Sequence, residues 1–300
     1  MGAPGAQRDV GALPQRTSVV EVTPPNDDRA LGRRVQAGSV ADDQFDERYM
    51  SLLEAAGEHW WVQGMRSIAS ALVGEMSEPI DILDAGCGTG ALLPWAAALS
   101  APRPPTGVDF SPAAVDRCRA QSLPGVLAVA SVTHLPFADE RFDLVLSSDV
   151  LQHLTIEQAA DATREMARVM RRGGRALVRT NASFGHGIEE RRDWRLYRPE
   201  TLRSTLESAG LLVERLTAVN LLQGLWASMP RRAQPSHSSD RDRALVDVHR
   251  EVHGLGIPEP IGHVKNRLLR ALLQMEARYL RGPGRALPYG HSLYAVARRS

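Results

Sequence analysis

The chain of 300 residues carries 36 Lys+Arg against 35 Asp+Glu, a net charge of +1, and is 43% hydrophobic. Such a balance gives no bulk electrostatic attraction to nucleic acid or to an anionic membrane, and it suffices for one large core or two small ones. Two cysteines, Cys87 and Cys118, exclude a disulfide framework, and no apolar run approaches the roughly 18 residues of a membrane span. The N-terminus lacks the basic-then-apolar order of a signal peptide, so the sequence reads as a soluble cytoplasmic protein.

In chain order, residues 1–41 are rich in Gly, Pro, Asp and Arg, with Pro24-Pro25-Asn26-Asp27-Asp28 interrupting any periodicity. They hold too little apolar surface to offset the entropy of ordering them, and a disordered tail is expected. Residues 42–78 change to helical spacing (Phe45, Tyr49, Leu52, Leu53, then Trp60, Trp61, Met65, Ile68, Leu72), which predicts two helices ahead of the main domain.

From residue 79 onward, strand and helix patterns alternate. Strands are expected at Ile80–Ala85, Pro105–Asp109, Val126–Ala130, Phe142–Ser147, Gly174–Thr180, Leu212–Val219 and Ser292–Arg298. Helices are expected near Ala91–Ala98, Pro112–Gln121, Thr155–Val169 and Pro199–Ala209. This alternation predicts an α/β fold, a mostly parallel sheet with helices on both faces. Between the last two strands, at about 221–285, lies a helical insertion with an apolar patch (Leu221, Leu222, Leu225, Trp226, Met229) and a helix at Val264–Leu280.

The most informative segment is Asp81-Ile82-Leu83-Asp84-Ala85-Gly86-Cys87-Gly88-Thr89-Gly90, a buried strand ending in an acid, followed by glycine at every second position. Glycines there permit a tight strand-to-helix turn and let a ligand lie against the backbone near the positive end of the next helix. Further on, Gly107-Val108-Asp109 puts an acid at the end of the second strand, where a carboxylate accepts ribose hydroxyls. A nicotinamide dinucleotide would also fit Gly86-x-Gly88-x-x-Ala91, but Asp84 in front of the glycines suits an ammonium and repels a pyrophosphate.

Asp84 to Gly90, Asp109, Leu135-Pro136-Phe137 before Phe142–Val145, and Gly173-Gly174 before a fifth strand together resemble a class I S-adenosylmethionine-dependent methyltransferase of the type 11-like kind. The resemblance covers about 81–219 and implies a Rossmann-like seven-stranded sheet whose last strand is antiparallel. It implies that Asp84 and the Gly86 backbone hold the methionine amino end, that Gly88 lets the cofactor pass close to the main chain, that Asp109 takes the ribose hydroxyls, and that Phe110 packs on the adenine. Ala130-Ser131-Val132 stands where such enzymes usually have Gly-Asp-Ala. Ser131 would then contact the adenine amine with a shorter, uncharged side chain, and Val132 through its amide. Ser147 and Ser148 would border the sulfonium.

Upstream, His59-Trp60-Trp61-Val62-Gln63-Gly64-Met65-Arg66 resembles the HWW segment of one bacterial branch of these enzymes, and Asn266–Leu269, Met275–Arg278 and Leu287–Leu293 resemble its C-terminal run. In that light Tyr49, Trp60, Trp61 and Arg66 are candidates for a lid over the cofactor, while the tryptophans equally suit anchoring a helix on the sheet.

A hydroxyl acceptor needs its proton removed during methyl transfer. His153, just beyond the fourth strand, is the first candidate base, with backbone hydrogen bonding as its alternative role; His186, Glu189 and Glu190 after the fifth strand are others. No metal-ligand spacing appears, so catalysis without a metal is expected. The expected partner is a small molecule such as a natural product, sugar or glycolipid; the Leu221–Met229 patch could touch a lipid-linked acceptor or pack in the core. Competing readings are an NAD(P)-dependent oxidoreductase and a non-catalytic cofactor-binding partner protein.

Overall fold

Asp84 and Asp109 fall at the ends of neighbouring strands because the sheet is built outward from its centre. The computed structural model describes residues 59–74, 79–184, 190–191, 194–228 and 262–300. Its strands are β1 (Ile82–Ala85), β2 (Thr106–Asp109), β3 (Val126–Val129), β4 (Phe142–Ser148), β5 (Met170–Asn181), the short pair β6 (Glu190–Arg191) and β7 (Trp194–Arg195), β8 (Leu211–Val219) and β9 (Ser292–Arg299). Seven of them form one sheet in the order β3-β2-β1-β4-β5-β9-β8. The five on the β3 side are parallel, and β9 runs antiparallel between β5 and β8. This is the Rossmann-like α/β sheet expected, with the antiparallel last strand in its interior.

The helices are α1 (Trp60–Val73), α2 (Leu93–Ser100), α3 (Pro112–Ala120), α4 (Ile156–Val169), α5 (Pro199–Ser208), α6 (Leu221–Ser228) and α7 (His263–Leu280). All four residues of β1 are buried because helices cover both faces. One face sends Leu83, Ala85, Val145, Ala176 and Val178 beneath α4 and α5. The other sends Ile82, Leu144, Leu146, Leu177 and Val296 beneath α1 and α7. Local chemistry sets the helix starts. Ser111 accepts from the Ala114 N–H with Pro112 at the first position of α3, and Thr155 and Gln158 form a reciprocal capping box on α4.

Several details differ from the sequence reading. The first of the two expected N-terminal helices and the expected disordered tail fall outside the described residues. Helix α2 begins at Leu93, later than Ala91, because the glycine turn continues through Gly90, whose carbonyl accepts the Leu93 N–H. Strand β5 starts four residues earlier than expected, with its pairing to β4 interrupted between Phe142 and Leu144, where Gly173 takes a left-handed φ of 77°. The pair β6–β7 was not legible, being two residues a side.

The C-terminal helix is part of the core. Gly64 of α1 lies so close to α7 that a Cβ there would stand 2.7 Å from Leu273 Cβ, which gives the glycine of the His59–Arg66 segment its physical reason. The Trp60 N–H donates to Asn266 Oδ1 at 2.7 Å, tying the start of α1 to α7. Farther along α7, Glu276 accepts the N–H groups of Asn220 (2.7 Å) and Leu221 (3.0 Å), supplying the first turn of α6 with acceptors from 55 residues away. We predict that Glu276→Ala lowers the unfolding free energy by about 1–3 kcal/mol in urea titrations, because two part-buried donors lose their acceptor, and that Glu276→Gln loses less.

Candidate cofactor site

The carboxyl ends of β1, β2 and β4 meet at the glycine loop. The N–H groups of Gly86 and Cys87 both donate to the Val108 carbonyl at 2.8 Å, fastening the loop to β2. Gly86, at φ 84°, has no room for a Cβ against the Val150 side chain, whereas Gly88, at φ 53°, has open space where its Cβ would be. Gly86 is therefore required by packing and conformation, and Gly88 by conformation, with its bare face left clear for a ligand.

Asp109 fixes the loop from the other side. Its Oδ2 accepts the Gly88 N–H at 2.9 Å and its Oδ1 the Ser111 N–H at 3.0 Å, joining the loop to the start of α3. Burial pushes its carboxyl above the usual range, opposed by the donors on Ser111, Gly88 and Phe110. Next to it Phe110 is 76% exposed, an open aromatic face that would suit a stacked base.

Asp84 is the most unusual group. It is 1% exposed, and neither carboxylate oxygen has a hydrogen-bond partner among the described residues. Burial, then the charge of Asp109, raises its pKa to about 7. A buried carboxylate without donors is costly unless a ligand brings a cation to it.

The other expected residues stand as follows. The Ser148 hydroxyl, at the end of β4, accepts from Arg179 Nε at 2.9 Å. The Trp61 ring lies under the Arg179 guanidinium, 4.3 Å from its carbon to the ring centroid. Arg66 donates from Nε to the Ala91 carbonyl at 3.0 Å, so α1 holds the backbone just past the glycine loop. The Ser131 hydroxyl is engaged within its own turn, with Thr133 Oγ1 at 2.8 Å and the Thr133 N–H at 3.2 Å, and the Val132 side chain is buried in the core. His153 ends a short 3-10 turn, Leu151–His153, with an exposed ring 3.4 Å from Gln152 Nε2. Gln152 in turn accepts the Asn181 N–H, fixing that turn to the end of β5. His186 and Glu189 lie outside the described residues, and Glu190 is placed only as part of β6. Among the described residues no His, Cys, Asp and Glu cluster could hold a metal.

Sequence reasoning missed Arg179 and Asp149. Arg179 is 5% exposed and ion-paired to Asp149, which has a left-handed φ of 60°. The available signal was a single charge inside Ala176-Leu177-Val178-Arg179-Thr180, an otherwise uncharged buried run.

Residues 83–178 match the family model of the methyltransferase domain. That segment carries a methyltransferase domain. Among its relatives is a malonyl-[acyl-carrier protein] O-methyltransferase of Geobacter sulfurreducens, 38% identical over 108 residues, covering 34% of this chain and 40% of that one. The enzyme of the same name from Pseudescherichia vulneris is 29% identical over 172 residues, covering 56% and 64%. A demethylmenaquinone methyltransferase of Mycobacterium bovis is 42% identical over 87 residues, covering 27% and 36%. The chain thus spans less than two thirds of the length of these curated relatives. In fold it is similar to a chain of the solved complex between the Haloferax volcanii Trm112 methyltransferase activator and a methyltransferase (TM-score 0.51, 19% identity, covering 87% of this chain and 97% of that one).

The site fits S-adenosylmethionine: Asp84 lacks a cationic or donor partner among the described residues, Asp109 stands at the second strand end, and Gly88 leaves its face open. These findings set aside the nicotinamide reading. Because Asp84 keeps its proton in the folded protein up to about pH 7 but loses it near 4 when unfolded, its burial destabilises the ligand-free fold increasingly from pH 4 to 7 and constantly above. Asp84→Asn should therefore raise the melting temperature of ligand-free protein by several degrees at pH 8, a gain that shrinks toward zero as the pH is lowered to 4, measured by thermal scans across that range.

Proposed function

We propose that this protein is a methyltransferase of the cytoplasm that methylates an oxygen of a small-molecule acceptor without a metal. The observation that carries the reading is the pair of carboxylates at the ends of β1 and β2, one orphaned and one bridging the glycine loop to α3, beside an exposed aromatic ring. When bound, S-adenosylmethionine supplies an electrophilic methyl on a sulfonium. Asp84 faces the ammonium, Asp109 the ribose hydroxyls and Phe110 the adenine, so the chain fixes both ends of the cofactor and the methyl in between. Ser148, at the end of β4, borders that position. His153 stands exposed at the same edge and is the group we assign to take the proton from an acceptor hydroxyl as its oxygen forms the new bond to carbon.

Alignment of the acceptor and exclusion of water then account for most of the rate. The names of two relatives, which specify O-methylation, support oxygen as the nucleophile. No helix among the described residues is long and apolar enough to cross a membrane, and the exposed Leu222 and Leu225 on α6 offer a surface to the apolar part of an acceptor.

Calorimetry with S-adenosylhomocysteine and with NADH should show binding of the first alone, and Asp109→Ala should weaken it about a hundredfold. Incubation with methyl-labelled cofactor and a panel of hydroxylated acceptors should then give a labelled ether or ester. His153→Ala should lower kcat at least tenfold while leaving S-adenosylhomocysteine affinity within twofold. An intact kcat would remove His153 from this role, and cofactor binding without transfer to any oxygen acceptor would overturn O-methylation.

A further inference from the structure

Sheet register places a second buried charge, with one nitrogen left unpaired, on the same face as Asp84. Asp84 pairs with Leu146 between β1 and β4, Leu146 with Leu177 between β4 and β5, and Ser148 with Arg179 two positions farther on. Since side chains alternate along a strand, Asp84, Leu146, Ser148, Leu177 and Arg179 all point to the face covered by α1. The inward members Leu146 and Leu177 sit in the core cluster with Met65 and Ile68 of α1. At the carboxyl edge that apolar layer gives way to Asp84 on one side and Arg179 on the other.

Both are buried and both are incompletely satisfied. The Arg179 guanidinium uses Nε on Ser148, pairs through Nη2 with Asp149 and stacks on Trp61, but its Nη1 is buried with no acceptor among the described residues. Asp84 has no donor on either oxygen. Strand spacing and rise put their Cα atoms about 12 Å apart. An arginine side chain reaches across roughly half of such a distance, so the two groups are not in direct contact. A buried carboxylate with no donor and a buried guanidinium with one nitrogen left over, that close and not in contact with each other, suit a ligand that carries both signs on adjacent carbons.

Resting on the cofactor assignment above, we propose that Asp84 and Arg179 together read the amino-acid end of S-adenosylmethionine, Asp84 holding its ammonium and Arg179 its carboxylate. Arg179 is then a cofactor-binding residue contributed by β5, outside the glycine-loop and second-strand motif. Helix α1 is the cover of this clamp: Trp61 backs the guanidinium, and Arg66 holds the Ala91 carbonyl just beyond the glycines. Placing the carboxylate contact on β5 also explains why an arginine is kept in a strand whose neighbours Leu177 and Val178 are buried aliphatic residues.

Calorimetry with three ligands tests this: S-adenosylmethionine, its decarboxylated analogue, which keeps the ammonium, and 5′-methylthioadenosine, which lacks the amino-acid end. Arg179→Gln should lose at least thirtyfold in affinity for S-adenosylmethionine while binding the decarboxylated analogue and methylthioadenosine within threefold of the unaltered protein. Arg179→Lys, which keeps the charge but not the fork, should lose about fivefold, again for S-adenosylmethionine alone, so the test holds even if the glutamine variant does not fold. Equal losses for all three ligands, or no loss for any, would reduce Arg179 to a structural partner of Asp149 and Trp61 and overturn the proposal. Failure of the unaltered protein to bind S-adenosylmethionine at all would overturn the cofactor assignment itself, a result distinct from either.

Discussion

One carboxylate organises the ligand edge of this protein. Asp109 ends β2, and by accepting the N–H of Gly88 with one oxygen and that of Ser111 with the other it makes the glycine loop, the second strand and the start of α3 a single unit. The Val108 carbonyl beside it takes two further N–H groups from the loop, so all four hydrogen bonds run from backbone N–H groups to either a backbone carbonyl or this one short carboxylate. A loop of glycines at φ 84°, 53° and 82° would otherwise be entropically expensive to hold in one shape. Everything proposed about the cofactor, from the open face of Gly88 to the placement of Asp84, presumes that the loop is fixed in this way.

The second constraint is the coupling of the N-terminal helix to the C-terminal one. Gly64 permits the close approach of Leu273, Asn266 accepts from the first helical N–H of α1, and Tyr294 of β9 donates to the Met65 carbonyl at 3.3 Å. Segments more than 200 residues apart thus meet over the face that carries Asp84 and Arg179. The Trp61 ring packs α1 on the sheet, the anchoring role its sequence allowed, and also backs the Arg179 guanidinium.

The sequence made the parallel half of the sheet legible because there each strand, turn and helix is a local unit: an apolar run, a glycine or serine boundary, then an amphipathic helix. The motif residues Asp84, Gly86, Gly88 and Asp109 were legible for the same reason, being fixed by one strand-loop-helix turn and the strand after it. What escaped depends on pairing across the chain. That β9 enters between β5 and β8, that α7 docks on α1, and that Glu276 caps α6 are decided by contacts 55 to 229 residues apart, for which no local pattern exists. Arg179 was missed although it left a mark, a charge in a buried apolar strand, because its meaning depends on which face and which neighbours the register gives it.

The two edges of the sheet treat their acids in opposite ways, and that contrast separates structure from function. At the amino edge Asp81 is met by Arg103, Arg141 and Arg171, and although burial alone would raise its carboxyl, the hydrogen bonds from Arg171 and Arg141 hold it below its usual value. Three residues on, at the carboxyl edge, Asp84 is more deeply buried, has no arginine within bonding distance among the described residues, and is raised to about 7. In a chain so rich in basic side chains a partner for Asp84 would cost little to supply, as Asp81 shows. The nearest buried guanidinium on its face, Arg179, is instead directed to Ser148 and Asp149 with one nitrogen left over. An acid and a base kept apart in a low-dielectric layer forgo the Coulomb energy their contact would give. Such an arrangement persists when something else fills the gap, and the group that fits between a carboxylate and a guanidinium is a zwitterion.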